Sequence, residues 1–169
     1  RFAHLVTDIQ GAKFLGMLCI LLLIFQTLRI LFREGHGDLG MCLLASLLAI
    51  QPWQLRLSFE YLPCFLLCFL LCPGFLKLEK RGDTPLLLLS TASGVLTAFF
   101  DFLTVETLPI LVPLILVVAV RSLDRRLVSK KGTALLLLQC LLCWGFAYAG
   151  AFVVKWMAAA RVDGTGQLF

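Results

Sequence analysis

Apolar residues run along this chain in long blocks separated by short charged stretches, and the block lengths are those of helices that cross a lipid bilayer. The first block, Phe14 to Phe32, holds about 19 residues, which at ~1.5 Å each approaches the ~30 Å hydrocarbon thickness. The second begins at Leu39, is clean to Ile50 and then meets QPWQLR, so it ends near Pro52 or continues weakly toward Leu57. A third runs from Phe59 to Leu78. Pro63 falls in its first turn, where proline is tolerated, and Pro73-Gly74 near its far end predicts a kink or a stop. The last block, Thr133 to Val154, spans about 22 residues and is followed by Lys155 and Trp156, a pair suited to the membrane-water interface. Between these lies an apolar run from Pro85 to Val120 that Asp101 and Glu106 interrupt, which divides it into helices over Pro85 to Phe100 and Leu108 to Val120.

The pattern predicts an all-α, polytopic integral membrane protein of six transmembrane helices, or five if one helix passes through 85 to 120. Residues 1 to 13 form an outward N-terminal segment, 14 to 160 a single transmembrane helical domain, and 161 to 169 an outward polar tail. Composition agrees. With 60% hydrophobic residues, a mean hydropathy of +0.97 and 15% charged residues, the chain has more apolar surface than a soluble core of 169 residues can hide. The net charge of +5 is no nucleic-acid signal here, because the cations sit at the ends of apolar runs, as topology determinants do. Six spans put Arg29, Arg33, Lys77, Lys80, Arg81, Arg121, Arg125, Arg126, Lys130 and Lys131 on one side, against Arg1, Lys13, Arg56, Lys155 and Arg161 on the other. The positive-inside rule then makes the basic loops cytoplasmic and both termini external, in the cell membrane. A single helix through the interrupted run would separate the basic loops KLEKRGD and RSLDRRLVSKK and leave two acids at membrane depth. No cleavable signal peptide is visible, and Arg1 where an initiator Met is expected implies a processed chain or part of a longer one.

Asp101 and Glu106 thus mark the tip of an outward hairpin. Helices of about 16 and 13 residues reach only ~24 and ~20 Å, so the tip is expected below the outer surface, in a cavity where acids read as functional. Ser90, Gly94 and Ala98 repeat at four, as do Ser93, Thr97 and Asp101, giving a small, polar face of the kind that packs on a neighbouring helix. The structural alternative, compatible with the first, is that Asp101 caps the turn while Glu106 and Thr107 start the next helix ahead of Pro109. The same outward side receives His4, Asp8, Arg56, Glu60, Lys155 and Trp156. Arg56 and Glu60 stand four apart and suit a simple ion pair, and Lys155 suits a snorkelling anchor.

The seven cysteines carry less chemistry than their spacing invites. Cys64, Cys68 and Cys72 repeat at four and Cys140 and Cys143 form a C-x-x-C, but all five lie within predicted spans, where thiols behave as small polarizable hydrophobes and the thiolate needed for metal or redox work is disfavoured. Cys19 and Cys42 are likewise intramembrane. No metal site and no cofactor is expected from these residues, although the two acids suit a divalent cation. His4 and His36 fall on opposite sides, and Gly35 and Gly37 around His36 make a tight turn rather than a phosphate loop, since no strand precedes them.

FFDFLT, Phe99 to Thr104, and WGFAYAGAFVVKW, Trp144 to Trp156, resemble paired signatures of an uncharacterised family of bacterial polytopic membrane proteins. Trp144, Gly145, Tyr148, Gly150, Lys155 and Trp156 match its second signature, and Phe152 stands where the family pattern has a second tryptophan. Over residues 9 to 120, the order of spans and basic loops is similar to the membrane core of GT-C glycosyltransferases, which move sugars from polyprenyl-phosphate donors to acceptors on the outer face. In those enzymes a carboxylate in an outward loop near the first span serves as base or orients the acceptor. That element would lie ahead of Arg1 here. The resemblance implies a membrane lipid partner, a polyprenyl-phosphate-linked sugar; the outward acids Asp101 and Glu106 are then the catalytic candidates, and Arg56, Glu60, Thr104, Tyr148, Lys155 and Trp156 the substrate-binding candidates. A small carrier or scaffold without enzymatic activity is the competing expectation.

Overall fold

The computed structural model describes residues 9–50, 62–100, 107–124 and 130–162, and among them the chain is all-α with no strand. Six helices follow one another: α1 Ile9–Arg33, α2 Gly37–Ile50, α3 Leu62–Glu79, α4 Asp83–Phe100, α5 Leu108–Leu123 and α6 Lys130–Val162. Each sits on one of the expected apolar blocks. Four are long and apolar enough to cross a membrane, namely α1, α3, α4 and α6. Among the described residues four helices rather than the expected six reach that length, since α2 and α5 have 14 and 16 residues.

Glycine sets the two described turns. Gly35 has φ 84° and Gly82 φ 112°, left-handed values that a side chain disfavours. After α1 the His36 N-H donates to the Leu31 carbonyl at 2.9 Å and the Gly35 N-H to Phe32 at 3.2 Å, the paired bonds of a Schellman stop. His36 thus lies in a tight turn, as its flanking glycines predict. Pro73-Gly74 does not stop α3, which continues to Glu79. Pro63 does fall in the first turn of α3.

Burial orders the helices. In the apolar window of α3, 61% is buried, against 6% for α6. α3 therefore forms the middle of the bundle, sharing one core with Leu86, Ile110, Leu114, Val117 and Leu136, a second with Ile20, Ile24 and Leu47, and a third with Leu31, Leu116 and Val120. α6 lies at the side and packs chiefly on α4.

Two helices run further than their hydropathy implies. α4 begins at Asp83 rather than Pro85 and α5 ends at Leu123 rather than Val120, so the two helices are ~27 and ~24 Å long, the added residues lying at the end away from 101–106. Asp83 and Arg121 both lie in these extensions and meet there at 2.9 Å, so the added turns are held by charge, not by apolar content. α6 likewise exceeds Thr133 to Val154, and its 33 residues extend ~50 Å.

Candidate functional site

The C-terminal half of α4 builds its contact with α6 from small residues. Ser90, Ser93, Gly94, Thr97 and Ala98 are all buried. Their hydroxyls are satisfied within the helix: Ser90 donates to the Leu86 carbonyl at 2.9 Å, Ser93 to Ser90 at 2.7 Å, and Thr97 to Ser93 at 2.7 Å. With these hydroxyls satisfied inside α4, the two backbones close together. A Cβ on Gly94 would run into the Trp144 carbonyl oxygen and stand 3.1 Å from both the Ala147 Cβ and the Tyr148 nitrogen. The spacing of small residues at four was therefore a packing face, as the sequence implies.

Toward the C-terminal end of α4 the two helices leave a gap between their side chains. Val95, Ala98 and Phe99 of α4 face Ala151, Val154 and Lys155 of α6 across a crevice of about 290 Å³. Its walls are apolar apart from Lys155, and the chain reaches Asp101 two residues after Phe99. Along α6 the rings of Trp144, Tyr148, Phe152 and Trp156 form a ladder at every fourth residue. Trp144 and Tyr148 stack at 5.4 Å, Tyr148 and Phe152 at 6.2 Å, and Phe152 tilts onto Trp156 at 5.9 Å. Phe152 thus lies between Tyr148 and Trp156 in the ladder.

Of the sequence candidates, Lys155 is brought to the crevice. Tyr148 is held within the ladder and Trp156, 60% exposed, ends it; neither lines the crevice. Asp101, Thr104, Glu106, Arg56 and Glu60 lie outside the described residues, as do His4 and Asp8. The crevice walls themselves were not anticipated, because a gap between two helices leaves no mark on hydropathy.

The thiols behave as packing groups. Cys64, Cys68, Cys72 and Cys140 are buried thiols, and the Cys68 thiol donates to the Leu108 carbonyl at 3.7 Å. Among the described residues no three His, Cys, Asp or Glu side chains gather to hold a metal ion.

A second polar cluster, which sequence reasoning missed, closes the opposite end of the bundle. Arg121 of α5 donates from Nε to Glu79 Oε1 at 3.3 Å and from one terminal nitrogen to Asp83 Oδ1 at 2.9 Å. Lys80 reaches Glu34 at 2.8 Å, and His36 Nε2 lies 3.1 Å from Asp124 Oδ1. Glu79 is only 6% exposed, and its second oxygen, like the Trp144 indole nitrogen, is buried without a hydrogen-bond partner among the described residues. The available signal was the i,i+4 pair of acids at Glu79 and Asp83 around a basic turn, with Arg121 ending another helix.

Compared with known proteins, the chain matches no family model, no curated protein and no solved structure.

Proposed function

We propose that the chain is the membrane core of a transferase that moves a sugar from a polyprenyl-phosphate donor to an acceptor on the outer face of the membrane, in the manner of GT-C glycosyltransferases. The observation that supports this reading is the α4–α6 crevice, an apolar trough with Lys155 on it, two residues of chain before Asp101. A trough of this kind suits the hydrocarbon of a lipid, and an ammonium suits its phosphate, whose charge grows as the sugar departs. In this reading Asp101 accepts the proton of the acceptor hydroxyl as its oxygen bonds to the sugar, and the bond to the lipid phosphate breaks. Glu106 orients the acceptor or holds a divalent cation, Arg56 supplies a second cation to the phosphate, and Glu60, Thr104, Tyr148 and Trp156 contact substrate. The basic turns then face the cytoplasm and both termini the outside.

Asp101→Asn is expected to abolish the surface glycan while leaving protein abundance unchanged; an unaltered glycan sinks the idea. A carrier or scaffold without enzymatic activity draws support from a different observation, that the small-residue face of α4 is buried, with Gly94 against the backbone of α6. On that reading Asp101→Asn lowers abundance as far as a core substitution does.

A further inference from the structure

The end of the bundle opposite the crevice sorts its charges by position. Residues 29–38, 77–83 and 121–124 carry six Lys and Arg against five Asp and Glu, an excess of one cation before Arg125, Arg126, Lys130 and Lys131 follow in the sequence. Pairing changes that picture. Glu34, Glu79, Asp83 and Asp124 are drawn against Lys80, Arg121 and His36, while Asp38 in the first turn of α2 stays exposed. Arg29, Arg33, Lys77 and Arg81 are left exposed, and none has an ion pair with a described residue. The Glu34–Lys80 contact ties the end of α1 to the α3–α4 turn, so these four cations belong to one neighbourhood.

Their setting selects the kind of anion. Arg29 and Arg33 are one turn apart on α1, and the exposed side chains Leu22, Phe25 and Phe32 continue the same side of that helix into its apolar length. A soluble polyanion gains nothing from the phenyl rings, whereas a phospholipid meets the guanidinium with its phosphate and the rings with its chains.

We propose that this end is a docking surface for the anionic phospholipids of the leaflet in which it lies, with Arg29, Arg33, Lys77 and Arg81 engaging the headgroup phosphates. The inference is independent of the transferase reading, since it concerns the other end of the bundle and needs no reaction.

The test is the relative association of spin-labelled phosphatidylglycerol and phosphatidylcholine with the full chain reconstituted in bilayers. Phosphatidylglycerol is expected to be preferred by about fivefold for each cation a lipid engages, and the preference is expected to fade as salt is raised. The quadruple variant Arg29→Gln, Arg33→Gln, Lys77→Gln and Arg81→Gln loses the preference, while Arg161→Gln, on α6 far from these turns, retains it. Equal association of the two lipids in the unaltered protein overturns the proposal, as does a preference that survives the four substitutions. Should the quadruple variant fail to fold, the salt titration of the unaltered protein decides: a preference indifferent to salt is not electrostatic. Competition by a soluble oligonucleotide as strong as that by phosphatidylglycerol vesicles also overturns it, because the surface is then one for polyanions in general.

Discussion

Gly94 and Gly145 make opposite demands on substitution. At Gly94 a Cβ meets the backbone of α6, which has no flexible end to move aside, whereas nothing lies within 4 Å of a Cβ at Gly145. Gly94→Ala is therefore expected to destabilise by ~1–3 kcal/mol through overpacking, and Gly145→Ala to be neutral or to stabilise by up to ~1 kcal/mol through helix propensity. Thermal midpoints of the two purified variants check the contrast; equal midpoints would mean the helices do not meet at Gly94. Arg121 offers a second test. Removing it alone, as Arg121→Gln, strands the buried Glu79 carboxylate and is expected to cost ~3 kcal/mol. The double variant Glu79→Gln with Arg121→Gln leaves no buried charge unpaired and is expected to recover most of that loss. A double variant as unstable as the single one contradicts the pairing.

The helices differ in how much of their role hydropathy carries. Block boundaries located the six described helices, four of them because a bilayer-length apolar run leaves few alternatives to a helix. The repeat of Ser90, Gly94 and Ala98 also announced a packing face, since small residues at every fourth position let two backbones approach. The extra turns of α4 and α5 were not legible. They depend on Asp83 and Arg121 finding each other across 38 residues of sequence, a long-range fact that no local window contains. Nor was the partner of α4 legible: that it is α6, and that the two leave a crevice between their side chains, follows only from their packing. If that crevice holds a lipid chain, filling it stops the reaction without harming the fold. Val154→Trp, at an exposed position on the crevice wall, is expected to abolish transfer while changing stability by no more than ~0.5 kcal/mol. Full activity in that variant removes the crevice from the mechanism.

Taken as one body, the chain is an α3-centred bundle with chemically distinct ends. One end gathers the α1–α2 turn, the α3–α4 turn and the end of α5 through ion pairs; the other holds the α4–α6 crevice and Lys155. Counting loop charges along the sequence assigned these three segments to a common side, and the Glu34–Lys80 and His36–Asp124 contacts bring them together. Counting could not tell which acids would be withdrawn into pairs. Reporter fusions placed after Gly35, Gly82 and Asp124 are expected to face the same compartment, the cytoplasm; a fusion reporting the opposite side breaks the shared end. The reaction itself is tested most directly in proteoliposomes, by following transfer of a radiolabelled sugar from its polyprenyl phosphate in the unaltered protein and in Asp101→Asn at equal protein content. Transfer by the unaltered protein that falls at least ~100-fold in Asp101→Asn is the predicted result, in line with loss of a general base. Transfer at the same rate in both contradicts it.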